Sequence, residues 1–82
     1  MSACLLLHGA GSTPEFIHRA FGPAVRSAGF DLIAPDLTGL ELPAILRLIG
    51  GTRFDALGGV SLGAHACAYY AARVAWQGPL YA

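Results

Sequence analysis

Three short apolar runs punctuate the chain, each closed by glycine or proline. Ala3-Cys4-Leu5-Leu6-Leu7 stops at His8-Gly9, Phe30 to Ala34 stops at Pro35-Asp36, and Phe54 to Val60 passes through Gly58-Gly59 to reach Ser61. The first run is continuous, which suits a strand buried on both faces, as in a parallel sheet; Asp31 interrupts the second and Gly58-Gly59 weaken the third. Between them the period changes. Phe16, Ile17, Ala20 and Phe21 recur at helical spacing behind Ser12-Thr13-Pro14-Glu15, where a hydroxyl can cap the helix and Pro14 can take its first position. Gly22-Pro23 is expected to kink or break that helix before Ala24 to Ala28 resume it and Gly29 ends it. A second helix opens at Pro43 and closes at Gly50-Gly51. The third, Leu62 to Val74, is apolar and small-sided on almost every face, which predicts a helix packed deep in a larger body. Gln77 to Ala82 turns through Gly78-Pro79 toward the entrance of a missing next strand.

Strand and helix thus alternate three times with short connections, which predicts an α/β fold of three parallel strands in the order β-α-β-α-β-α. Right-handed crossovers are the rule in such units. At 82 residues the chain is a single domain at most. A chain so short buries only about 60% of its unfolded surface, yet this one is apolar enough to suit the interior of something larger. Residues 1–82 are therefore expected to be the amino-terminal portion of one domain, truncated. The uncovered sheet edge and helix faces of such a piece favour self-association.

Charge removes several function classes. Five arginines balance five acids with no lysine and no cluster of either sign, so nucleic acid and anionic membrane have no electrostatic footing. A neutral small molecule fits better. Cys4 and Cys67 sit in apolar runs without metal or redox spacing and read as reduced core thiols. Met1 to Leu7 lacks a positive region and is too short for a secretory signal, so a cytoplasmic location is expected.

The sharpest chemical signal is Gly59-Val60-Ser61-Leu62-Gly63, a G-x-S-x-G between a predicted strand and a predicted helix. A serine on so tight a turn takes a strained backbone, and its neighbours two positions away on either side must lack side chains. Gly59 and Gly63 meet that need. The turn lifts the Ser61 hydroxyl above the sheet and leaves the Leu62 N–H, at the helix start, as the natural donor to an oxyanion. A purely structural reading has the glycines serve close packing and Ser61 cap the helix.

Together, His8-Gly9 after the first strand, Ala34-Pro35-Asp36-Leu37-Thr38-Gly39 after the second and Gly59-Val60-Ser61-Leu62-Gly63-Ala64-His65 after the third resemble the alpha/beta-hydrolase family over nearly the whole chain. The resemblance implies a partial hydrolase fold with the first strand between the other two. It implies Ser61 as nucleophile, an oxyanion hole from the backbone N–H groups of Leu62 and Ala10, and supporting roles for His8, Gly9, Gly59 and Gly63. The implied activity is hydrolysis of a carboxylic ester or related acyl compound, with no metal or organic cofactor. Serine rather than aspartate at the elbow argues against the dehalogenase and epoxide-hydrolase branches.

The departure from that pattern is equally plain. The family's acid and histidine follow its serine, but no acid follows Ser61 and the one later histidine is His65. The resemblance implies that His65, on the helix that follows Ser61, packs inside rather than acting as a base. His8 is expected to be a turn residue hydrogen-bonded to backbone in the oxyanion loop, and His18, beside Arg19, to be solvated. The three histidines have no metal spacing. Asp36 is expected to make an Asx turn, and Glu15, Asp31, Glu41 and Asp55 to be surface or cap residues. Two alternatives stand beside the hydrolase: a non-catalytic or truncated protein of the same fold, and a nucleotide-binding module built on Gly9-Ala10-Gly11 with Asp36 as ribose contact.

Overall fold

The computed structural model describes residues 2–76 and 78–81. Met1, Gln77 and Ala82 lie outside the described residues, and with them parts of the leader and final-turn expectations. Strand β1 (Ser2–Leu7) leads to helix α1 (Pro14–Ser27), and β2 (Phe30–Ile33) to α2 (Leu42–Gly50). Then β3 (Ala56–Gly59), α3 (Leu62–Val74) and β4 (Leu80–Tyr81) complete the element order. The chain is α/β, with a parallel four-stranded sheet in the order β2-β1-β3-β4. The first strand is central as expected, but the count differs. The run through Leu80-Tyr81, read from sequence as only the approach to a missing strand, is already a short strand paired to Leu57 and Gly58.

Alternation along β1 divides the core into two layers. Leu5 and Leu7 face Leu57, Ile45 and Ile49 of α2, and Ala66 and Cys67 of α3. Cys4 and Leu6 point the other way, to Ala56 and to Ile17 and Val25 of α1. Successive strand residues project to opposite faces, so a central strand with both faces covered must be apolar throughout. Because α1 lies on one face and α2 with α3 on the other, the chain changes direction around β1. The carboxyl ends of β1 and β3 then diverge into loops that leave a crevice between them.

Helix α1 runs unbroken through Pro23, against the expected break. Pro23 deprives the Arg19 carbonyl of its helical partner, but Arg19 and Pro23 are both exposed, where water can take the missing place. At the other end the Thr13 hydroxyl accepts the Phe16 N–H at 3.2 Å, with Pro14 just inside the helix. Helix α3 is buried on one face only, along Gly63, Ala66 and Cys67. Leu62, Tyr69 and Val74 are exposed, so its apolar outer face is not covered as the sequence predicted. Among the described residues, no helix is long and apolar enough to cross a membrane.

Both thiols are buried and unpaired with each other. Burial pushes the Cys67 thiol up to about 12, with Cys4 adding to the shift, and its Sγ donates to the Gly58 carbonyl at 3.0 Å. Burial raises Cys4 as well, so both are protonated core groups.

The cap on α1 is a local contact that one substitution removes. Replacing Thr13 by Ala leaves the Phe16 N–H without its side-chain acceptor and should lower the unfolding free energy by about 1 kcal/mol, read as a reduced urea midpoint at unchanged slope.

Candidate active site

Ser61 occupies the corner between β3 and α3 with φ 55° and ψ −116°, one of two non-glycine residues at positive φ among those described. A side-chain-bearing residue held there stores on the order of 1–3 kcal/mol of strain, so the surroundings must over-determine it. They do so by backbone contact. A Cβ on Gly59 would lie 2.3 Å from the Gly63 carbonyl carbon, and one on Gly63 would lie 2.3 Å from the Leu7 oxygen. The Val60 N–H bonds to the Leu7 oxygen at 3.0 Å and the Gly63 N–H to the Val60 oxygen at 2.9 Å, closing the corner. Gly9 completes the packing from the β1 side, since a Cβ there would sit 2.9 Å from Ser61 Cβ and 3.6 Å from its Oγ.

This geometry separates Ser61 from an ordinary helix cap. Its hydroxyl makes no cap hydrogen bond, and the residue is exposed. The Leu62 N–H, first in α3, and the Ala10 N–H have no hydrogen-bond partner among the described residues. Ala10 is exposed within a turn closed by the Ser12 N–H on the Gly9 oxygen at 3.1 Å. Gly11, third in that turn, has φ +75°, a conformation that glycine adopts without steric cost. The loop from His8 to Ser12, the loop from Leu37 to Leu40, and Leu62 enclose a cleft of about 380 Å³. Ser61 is not among its lining residues but touches its Gly9 wall. A groove of about 400 Å³ lies on the α1 side of the sheet, lined by Leu6, Ile17, Phe21, Val25 and Tyr81. Its lining is mostly apolar, with the Cys4 thiol and the Tyr81 side chain as the exceptions.

His8 is buried and has both ring nitrogens engaged. The Leu37 N–H donates to Nε2 at 2.9 Å, so that nitrogen carries the lone pair and the proton is on Nδ1, 2.8 Å from the Gly9 oxygen. The ring therefore braces the loop, as the sequence suggested, and is not free to take a proton from Ser61. His65 departs from expectation: it is exposed, because the stripe through Gly63, Ala66 and Cys67 turns residue 65 away from the sheet. His18 is exposed on α1. No histidine is hydrogen-bonded to Ser61 among the described residues, and no group of His, Cys, Asp or Glu there is placed to hold a metal.

Asp36 forms the expected Asx turn. Its carboxyl is held below its usual range first by the Thr38 hydroxyl, which donates at 2.6 Å, and then by the Thr38 N–H at 2.9 Å. The His8 ring stands 3.6 Å from the same oxygen, but its Nε2 lone pair already faces Leu37, so Thr38 dominates. The motif through Leu37, Thr38 and Gly39 carries part of the resemblance, but its place as a wall of the cleft was not foreseen from sequence. Its one local signal is the turn at Gly39, with φ +77° and the Leu40 N–H on the Leu37 oxygen at 3.0 Å.

The chain matches no protein-family model, no curated protein and no solved structure.

Two outcomes test this geometry. Gly63→Ala places a methyl against the β1 backbone and should destabilise the chain by about 1–3 kcal/mol, whereas Gly50→Ala, with only a Tyr70 ring carbon 3.9 Å away, should be neutral or stabilising in the same urea titration. For Asp36, the lowered value means that its bonds to Thr38 contribute fully above the ordinary 3.8 and are lost as pH falls through the folded-state value. The Thr38 amide proton shift should then titrate with a midpoint below 3.8, and the transition should vanish in Asp36→Ala.

Proposed function

We propose that this chain carries the nucleophile and oxyanion hole of a serine hydrolase acting on a carboxylic ester or related acyl compound. The carrying observation is Ser61 at φ 55° and ψ −116° on the strand-to-helix corner, with Gly9 packed against it. The N–H groups of Leu62 and Ala10, without a hydrogen-bond partner among the described residues, support the reading as donors to the oxygen of a tetrahedral intermediate, where charge develops during attack. In that chemistry Ser61 Oγ bonds to the acyl carbon, its proton passes to a base, and the alcohol departs with a proton. Water then releases the acid and restores the hydroxyl. The proposal requires the base and its orienting acid from outside these 82 residues, since His8 is engaged on both nitrogens and no acid follows Ser61.

The nucleotide-binding alternative draws less support. Asp36, its ribose contact, is engaged by both donors of Thr38, and a hydrogen-bonded turn plus Thr13 separate Gly9 from the start of α1.

Without a base the serine keeps only the residual reactivity that the oxyanion site provides, which can still be about 10³-fold over water. An alkyl fluorophosphonate should therefore modify Ser61 in preference to Ser2, Ser12 and Ser27, as read by peptide mass spectrometry, and Ser61→Ala should remove the adduct. Ala10→Pro deletes one N–H at a turn position that proline favours and should slow the reaction by roughly 10²- to 10³-fold. Labelling spread over all serines and indifferent to both substitutions would refute the proposal.

A further inference from the structure

The Gly9–Ala10 peptide joins two observations. Its carbonyl accepts from two donors, the His8 Nδ1–H at 2.8 Å and the Ser12 N–H at 3.1 Å. Because a trans peptide is planar, with C=O and N–H on opposite sides, fixing that carbonyl also fixes the direction of the Ala10 N–H. The same His8 ring accepts the Leu37 N–H through Nε2, across 29 residues of sequence. Leu37 opens the second wall of the cleft. One buried side chain thus bridges both loops, and only one protonation state does so. A second proton on the ring would sit at Nε2, where the Leu37 N–H already points, and two donors cannot share that line.

The charged ring has somewhere to turn. Asp36 Oδ1 lies 3.6 Å from Nε2, and it is the one ionisable side chain within ion-pair distance of His8 among the described residues. From the other elements packed at this strand end, α3 brings Gly63 against the His8 backbone and the β3 corner brings Val60 and Ser61 against Gly9, none of them charged. The ionisable side chains of α3 (His65, Tyr69, Tyr70 and Arg73) form no ion pair with His8.

We infer that His8 is a positioning residue and a proton-operated latch: with one proton its ring ties the Gly9 carbonyl to the Leu37 amide and holds both walls of the cleft, and with a second it releases Leu37 and pairs with Asp36. Adding that proton frees the loop from Leu37 to Leu40 while Nδ1 can still donate to Gly9. Acid therefore opens the cleft wall before it disturbs the Ala10 peptide. The functional consequence rests on the proposed role of Ala10 as an oxyanion donor, but the latch itself does not.

The test uses the whole ¹⁵N-labelled chain. At neutral pH, long-range ¹H–¹⁵N correlation should find His8 protonated on Nδ1 and bare on Nε2, with the Leu37 amide protected from solvent exchange. On acidification, Leu37 protection should fall by roughly tenfold or more, in step with the His8 ring signals. Asp36→Asn, which removes the partner of the charged ring, should move that transition to lower pH. His8→Asn keeps a donor for the Gly9 carbonyl but offers nothing at the Nε2 position, so Leu37 should exchange fast at every pH. A ring protonated on Nε2 at neutral pH, or Leu37 protection unchanged while the ring titrates, would overturn the latch even with Ser61 still reactive. If the nuclear magnetic resonance signature holds while Ser61 labelling is absent at all pH values, the latch stands and the hydrolase reading falls.

Discussion

The architecture depends on how closely three backbone segments approach at the carboxyl end of the sheet. The end of β1, the corner after β3 and the first turn of α3 meet with no side chain between them, because positions 9, 59 and 63 are all glycine. A Cβ at any of the three would fall within 3.0 Å of a neighbour, closer than side-chain carbons tolerate. That approach sets α3 tightly on the sheet and forces the strained backbone of Ser61. Strain of this kind persists only where packing over-determines it, and the two buried layers about β1 supply the packing.

Much of this was legible because it is local. The end of β1, a hydroxyl cap before Pro14, the start and end of α3 and the glycines around Ser61 all follow from residue type at short spacing, as does the Asx turn at Asp36, whereas β3 is shorter at both ends than the run from Phe54 to Val60 suggests. The misreadings arose where one local rule met a longer-range condition. Proline is a helix breaker, yet at Pro23 the orphaned carbonyl belongs to an exposed residue and the helix continues. The resemblance implied an interior place for His65, whereas the period of α3 sends it outward. The strand at Leu80-Tyr81 is too short for any alternation to reveal it and exists because β3 offers an open edge.

The cleft was less legible than the corner. Nothing in Leu37, Thr38, Gly39 and Leu40 marks them as a wall facing Ala10 and Leu62. That placement follows from strand order, since β2 lies beside β1 and its outgoing loop must pass the loop that leaves β1. The bond from Leu37 to His8 belongs to the same class of feature: a contact between distant segments that depends on register rather than on either segment's composition.

His8 also clarifies how roles divide at this site. A histidine near an exposed serine invites assignment as a general base, but a base must present a lone pair to the hydroxyl. Here the one lone pair of the ring faces the Leu37 amide and the one N–H faces the Gly9 carbonyl. Buried polar groups satisfied on both sides are costly to redirect, so the ring is committed to structure. On the proposed reading, the groups this chain aims at a substrate are then one hydroxyl and two backbone N–H groups, none of them titratable near neutral pH. Any response of the site to acid must come from the groups that hold those three in place, and among them His8 is the ionisable side chain whose ring bonds to both walls of the cleft.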